Sequence, residues 1–169
     1  LEDADAAHEA VCQSRSELSR WLPWCNAHYT RQDMLEFLGD RAAAYEEEQE
    51  FAFAIWDRAS GEFLGAIGLN QMDPFARRAN LGYWLRTSAT GQGIATTATR
   101  LLARWAFEEL GLERLEIVAD VDNLASHRVA ERAGALREGI ARNRLRLGER
   151  QRDAAVFSLV PSDFSSQNG

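Results

Sequence analysis

What this 169-residue sequence lacks narrows the field first. It contains no run of the roughly 18 consecutive apolar residues that mark a membrane-spanning helix. Proline is scarce at 3 residues, and charged residues make up 27% against 46% hydrophobic, the balance of an ordinary globular chain rather than a disordered or fibrous one. The two cysteines, Cys12 and Cys25, form no Cys-x-x-Cys pair and have no clustered histidines near them. Neither a disulfide framework nor a metal site is expected, and a reducing, cytoplasmic setting fits best. The opening "LEDADAAHEAVCQ" lacks the basic n-region and apolar h-region of a secretory leader, so export by such a signal is not expected, nor is a membrane partner. Positive charge is short as well. A net charge of -7 leaves no general basic footprint for displacing counterions, so no direct nucleic-acid partner is expected, and an acidic surface suits cationic partners.

Residues 1–169 are long enough to close a core without staples, and no linker, repeat or low-complexity tract interrupts them, so a single domain is expected. Ala7, Val11 and Leu18 predict a helix over Asp3 to Trp21, broken by Pro23. Thr30, with Asp33 three residues on, predicts the cap of a second helix whose apolar face is Met34, Leu35, Phe37 and Leu38. "FAFAIWD" and "FLGAIGLNQ" flank the turn-like "RASGE" and predict an antiparallel hairpin. "ANLGYWLR" alternates as a strand. Ile94, Ala98, Leu101, Leu102 and Trp105 predict a helix from 93 to about 110 with one buried stripe, stopped by Gly111. A strand "RLEIVADV", a short helix ended by Gly134, and two strands turning near Gly148 complete the chain. This order predicts an α+β fold, a mixed and mostly antiparallel central sheet flanked by helices.

The turn "TGQGIA", between a strand and the longest apolar-striped helix, raises a chemical question. A helix start offers unpaired N–H groups and the positive end of a dipole, a place for an anion such as phosphate. Gly91 and Gly93 serve equally as plain turn residues with positive φ. No Gly-x4-Gly-Lys-[Ser/Thr] is present, and Thr97 has no lysine before it, so a P-loop is excluded. A dinucleotide fingerprint would need Gly or Ala at Thr96 and a doubly wound sheet, which the hairpin context contradicts.

"TGQGIA" resembles the acyl-CoA pyrophosphate loop of the GNAT N-acetyltransferases, [Gln/Arg]-x-x-Gly-x-[Gly/Ala]. Gly93 and Ala95 match it, and Thr90 stands where Gln or Arg is usual. Within that superfamily "WLPW" (21 to 24), "LGYWL" (81 to 85), "NLASHRVAERAGALREG" (123 to 139) and "LRLGERQRD" (145 to 153) resemble the RimJ/RimL-like branch, which acetylates protein N-termini and related amines. The resemblance spans nearly the whole chain. Members begin with a strand before the position of "DA", so the first strand is expected to be missing or incomplete here.

The resemblance implies acetyl-CoA as co-substrate, with no metal. It implies that the strand carrying Tyr83 splays from its neighbour and offers main-chain groups at Leu85 and Thr87 to the pantetheine arm. Gly91, Gln92, Gly93, Ile94, Ala95 and Thr96 would receive the pyrophosphate, and Asn123 and Ser126 the second cofactor segment, with Arg128 adding charge. Ser126 is the implied donor to the departing thiolate, although a Ser at a helix start also serves as a cap. Asn80 and Tyr83 are candidate substrate contacts, as are Trp21 and Trp24, because the Pro-broken "WLPW" between helices can hold aromatics at a cleft; the remaining tryptophans, Trp56 and Trp105 among them, read as core.

A general base is not evident. Asn80 and Leu145 occupy positions where relatives carry carboxylates, which leaves Asp120, Asp122 and Glu138. An aspartate at a strand end also suits a cap, and Glu138 an arginine partner. His127 reads as a solvated helix residue and Asp153 as an arginine's partner. A weakly based site favours α-amines over lysine. The expectation is therefore transfer of acetyl to a primary amine by direct attack, most naturally a protein N-terminus such as that of a ribosomal protein. The alternatives are a small-molecule amine (an antibiotic or polyamine) and a non-catalytic acyl-CoA-binding protein. Homodimerisation is a family-based expectation.

Overall fold

A computed structural model describes residues 3–165. Two helices come first, α1 (Ala4–Leu18) and α2 (Arg31–Glu46), then three strands, β1 (Phe51–Trp56), β2 (Phe63–Asp73) and β3 (Arg78–Leu85). A 3₁₀ turn at Thr87–Ala89 leads into α3 (Ile94–Glu108), followed by β4 (Arg114–Asp120), α4 (Leu124–Ala133), β5 (Leu136–Leu147), β6 (Arg150–Leu159) and the short α5 (Ser162–Ser165). The strands form one sheet in the order β1-β2-β3-β4-β6-β5. Only β3 and β4 run parallel among these neighbours; the other pairs are antiparallel. The α+β expectation and its element order are what the structure contains.

Alternation along β3 assigns the two layers. Leu81 belongs to the core under α3 and α4, with Leu102, Leu115, Ile117, Ala130, Phe157 and Leu159, and Tyr83 packs against it. Trp84, of opposite parity, packs instead on the cluster of Ala7, Ala10, Val11 and Leu18 from α1. Phe157 is 0% exposed at the centre of the larger core; burying such a side chain is worth about 2–3 kcal/mol.

Local chemistry sets the helix starts. Thr30 and Asp33 make the reciprocal capping box expected of them. Gly134 caps the end of α4 with a positive φ of 98°, while α3 ends at Glu108, before the expected stop, and Gly111 turns the link beyond it with φ of 63°.

The buried stripe of α3 differs from the one expected. Ala95, Thr99, Leu102, Ala103 and Ala106 are buried, while Leu101 is 65% exposed. Small side chains occupy the inner face because the helix lies close to the sheet, so counting large apolar letters sets the phase wrongly. Ala98 and Trp105 pack on the stripe's margin. Trp56 is not core either: it is 39% exposed at the strand end where the β1–β2 register shifts. On α2, Phe37 is exposed and carries the Arg41 guanidinium over its ring at 4.5 Å.

Candidate active site

Pairing between β3 and β4 is confined to Arg78–Arg114, Ala79–Leu115 and Asn80–Glu116. Beyond that, β3 stays bonded to β2 as far as Leu85–Gly65, and β4 stays bonded to β6 as far as Asp120–Ala154. A wedge therefore opens in the middle of the sheet. It continues into a cleft of about 230 Å³ bounded by Tyr83 and Leu85 on β3, the Gly91–Thr96 turn, and the start of α4.

The turn is shaped by backbone angles. Gly91 and Gly93 have φ of 76° and 81°, and a β-carbon at either would meet nothing within 4 Å. The left-handed angles, not crowding, call for glycine. Gly93 caps α3 without any side-chain bond, whereas Thr30 and Asn123 cap α2 and α4 with theirs. Thr97 N–H donates to Gly93 O at 2.9 Å, and among the described residues the amides of Ile94, Ala95 and Thr96 before it find no acceptor. All three residues line the cleft. The positive end of α3 thus faces the cavity with these donors free, an arrangement that favours an anion.

Two of the expected cofactor-contacting residues have partners within the chain. Gln92 folds back, its amide donating to Ser88 O at 2.9 Å. The Thr87 N–H donates to the buried Ser14 Oγ at 2.9 Å, and its carbonyl accepts from Thr90 N at 3.2 Å and Thr90 Oγ1 at 2.8 Å. The Thr87 amide therefore anchors the turn to α1, and its carbonyl closes the turn on Thr90. Ser14 was not singled out in the sequence, where a helical serine carries no signal of a partner 73 residues away.

At the inner end of the cleft the capping question resolves by geometry. Asn123 Oδ1 accepts the Ser126 N–H at 3.2 Å, so Asn123 is the cap and the Ser126 hydroxyl is left for other work. That hydroxyl lies 2.9 Å from Tyr83 Oη, which also donates to Ser126 O at 3.1 Å. Burial pushes the Tyr83 phenol up to about 12, only partly opposed by its bond to Ser126. It is a proton donor throughout the neutral range. Tyr83, one of the candidate substrate contacts, lines the cleft and turns its hydroxyl onto Ser126. Ala125, Val129 and Arg132 join Arg128 along the cleft, a one-face helical spacing that the sequence reading did not use.

Four carboxylates, Asp120, Asp122, Glu116 and Glu138, are each engaged by an arginine. Asp120 accepts two bonds from Arg152 at 2.8 Å and one from Asp122 N at 2.9 Å, and its pKa is lowered chiefly by that arginine. Asp122 shares Arg152. Glu138 takes a two-pronged contact from Arg114 at 2.7 and 2.6 Å, which holds its carboxyl at about 2. Glu116, facing Asn80 at the crotch of the wedge, was missed in the sequence because only the parallel register brings it there; it too is bonded to Arg114 at 3.0 Å. Asn80 donates to Asn70 Oδ1 at 2.9 Å rather than reaching into the cleft.

Two readings of single residues are corrected. His127 is buried, at 7% exposed, with Nε2 2.9 Å from Asp120 O and its ring against Phe157. Asp153 does not serve an arginine; its Oδ1 accepts the Asn143 N–H at 2.8 Å. Of the two candidate tryptophans, Trp21 lines the cleft, while Trp24 is outside it, 39% exposed and edge-on to Trp84 at 6.0 Å. Among the described residues no group of three His, Cys, Asp or Glu side chains is disposed to hold a metal ion, and no helix is long and apolar enough to cross a membrane.

A sheet split beside an uncapped helix start is built to anchor a phosphate-bearing carrier and thread its arm toward the gap, the architecture of an acyl-CoA-dependent transferase. Residues 1–136 match the family model of the GNAT acetyltransferase domain, and the chain belongs to that family. It is an acyl-CoA-dependent N-acetyltransferase, with relatives of the RimJ/RimL kind. YdaF of Bacillus subtilis, a candidate ribosomal N-acetyltransferase, is 30% identical over 98% of this chain and 90% of its own. A candidate ribosomal-protein-serine acetyltransferase from Vibrio cholerae superposes with a TM-score of 0.83 at 29% identity, covering 95% of this chain and 89% of that one. RimL, the ribosomal L7/L12 α-N-protein acetyltransferase solved with coenzyme A, shares the fold at a TM-score of 0.85 and 23% identity over 94% of this chain and 89% of its own.

Proposed function

We propose that this protein, acting as one domain, transfers acetyl from acetyl-CoA to the N-terminal α-amine of a protein, a ribosomal protein being the class favoured by its relatives' names. In this reading the free amides of Ile94, Ala95 and Thr96, with Gly91 and Gly93, hold the pyrophosphate, and β3 at Leu85 lies along the pantetheine arm. The uncharged amine attacks the thioester carbon, the C–S bond breaks as Ser126 Oγ donates a hydrogen bond to the departing sulfur, and the thiolate is finally protonated from water. Tyr83 Oη supports that hydroxyl, and water removes the proton lost by the amine.

The observation that carries the choice of substrate is that Asp120, Asp122, Glu116 and Glu138 are each engaged by an arginine. A group held at about 2, as Glu138 is, accepts a proton poorly from an ammonium. An α-amine with pKa about 8 is uncharged at pH 7 at a cost of roughly 1 kcal/mol, whereas a lysine at about 10.4 costs between about 4 and 5. A site without a free base therefore suits the first. The test is thiol release from acetyl-CoA with peptides bearing a free N-terminus, matched N-blocked lysine peptides, polyamines and amine antibiotics. Turnover confined to free N-termini supports the reading. Faster turnover of lysine peptides or small amines overturns it, and coenzyme A binding with no turnover of any amine would mark a binding protein.

A further inference from the structure

The chain's charge is unevenly placed. Between Leu136 and Asp153, the β5–β6 hairpin, lie six of its 19 basic residues and only three of its 26 acidic ones. Every basic residue is arginine; the chain has no lysine. Of the three acids, Glu138 is consumed by Arg114 and Asp153 by the Asn143 amide. Arg152 is spent on Asp120 and Asp122, and Arg146 reaches Glu149 at 3.4 Å. The side chains of Arg137, Arg142, Arg144 and Arg150 are exposed, and no ion pair or side-chain hydrogen bond is formed by them among the described residues.

Backbone geometry ties part of this charge to the segment next to the cleft. The β5–β6 register jumps from Ala141–Ala154 to Leu145–Arg152, so β5 carries two extra residues between those pairs. Arg142, Asn143 and Arg144 form this bulge, with Asn143 at a φ of 52°. The bulge is pinned by Asp153, whose carbonyl accepts the Val121 N–H at 3.2 Å. Val121 lies in the link from β4 to Asn123, the cap that holds Ser126. The bulge that carries Arg142 and Arg144 is thus joined through Asp153 to the segment that leads into the α4 cap, on a strand that is the outermost of the sheet among the described residues.

Resting on the N-terminal reading above, we propose that the bulged β5–β6 hairpin is a docking rim for an acidic stretch of the protein substrate, a few residues downstream of the amine to be acetylated. Arg142 and Arg144 are its principal contacts, and Arg150 adds to the field. Guanidinium forks match carboxylates in pairs. An extended peptide of ten residues spans at most about 35 Å, ample to run from the cleft over an adjoining strand. Carboxylates are favoured over a nucleic-acid backbone because the cationic surface is one hairpin on a chain of net charge -7, whose remaining faces repel a long polyanion.

Two fluorescent peptides test this, identical at the first two residues and carrying either glutamates or glutamines beyond them. Their binding to the coenzyme A-loaded protein is followed by anisotropy, and their acetylation by thiol release. The acidic peptide is expected to bind about tenfold more tightly at low salt, with the difference appearing in KM rather than kcat and shrinking toward unity by about 0.5 M salt. Arg142→Glu with Arg144→Glu should erase the preference, with coenzyme A affinity as the check on folding. Equal binding of both peptides, or a preference that survives the charge reversal, overturns the rim. So does an RNA oligonucleotide of equal charge that displaces the acidic peptide at lower concentration. Acid-selective binding without acetylation of either peptide would leave the rim standing and sink the N-terminal acetylation reading instead.

Discussion

Tyr83 Oη sits 2.9 Å from Ser126 Oγ, coupling a strand at the edge of the wedge to the first turn of α4. If Ser126 donates a hydrogen bond to the departing thiolate and Tyr83 steadies it, the two act as a unit. Ser126→Ala is expected to lower kcat about 10- to 100-fold with little change in coenzyme A affinity, the range seen when one positioned donor is lost. Tyr83→Phe should cost less, and the double variant no more than Ser126→Ala alone. Additive losses in the double variant, read from kcat on a fixed peptide, would mean that the two groups serve separate steps.

The uncapped start of α3 separates helix stability from ligand binding. A carboxylate at Thr96, in the first turn, meets the positive end of the helix and should leave the melting temperature unchanged or raise it slightly. The same charge competes with a bound diphosphate. Thr96→Glu is expected to raise KM for acetyl-CoA at least about tenfold, the order set by one repulsive contact of about 1.4 kcal/mol at short range. Steady-state kinetics beside a thermal melt checks both halves. An unchanged KM would remove the amides of Ile94, Ala95 and Thr96 from the binding site.

What the sequence revealed here followed from letters with local consequences. Gly91 and Gly93 announced left-handed angles, Thr30 and Asp33 announced a cap, and the alternation in "ANLGYWLR" announced a half-buried strand. The misread features depend on partners far along the chain. The inner face of α3 is set by how closely it approaches the sheet, which Ala95, Thr99, Ala103 and Ala106 permit and Leu101 would not. His127 is polar by type yet buried, because the Asp120 carbonyl satisfies its ring. Glu116 reaches the crotch of the wedge only through a parallel register with Asn80, and Thr87 loses its amide to a serine on α1. Periodicity reports which way a residue faces, but not what waits there.

A site that leaves deprotonation to the amine itself has a distinctive pH profile. With an N-terminal peptide, kcat/KM should rise tenfold per pH unit below the peptide's own pKa of about 8 and then level off. Tyr83, held near 12, stays protonated across this range and imposes no alkaline fall below about pH 11. Replacing the peptide by one with a more acidic N-terminus should move the inflection by the same amount. An inflection that stays fixed when the amine is changed would reveal an enzymic base and contradict the proposed mechanism.

The Asp120–Arg152 pair ties the end of β4 to β6 directly before the α4 cap, and its worth depends on asymmetry of burial: Asp120 is 2% exposed at its side chain and Arg152 34%. Removing the arginine strands a buried carboxylate, so Arg152→Met is expected to destabilise the protein by about 3 kcal/mol, the low end for breaking a buried pair because the arginine is partly wet. Asp120→Asn removes the charge but keeps the acceptor for the Asp122 amide, and should cost less. The sign of the pH effect follows from the direction of the shift. Asp120 is lowered in the folded state, so its stabilisation is complete above the unfolded value of 3.8 and is lost as pH falls through the lower folded value. Denaturant titrations from pH 6 down to about 3 should show the wild type losing stability below about pH 4 more steeply than Asp120→Asn. Parallel slopes for the two proteins would show that Arg152 contributes packing rather than charge at this joint.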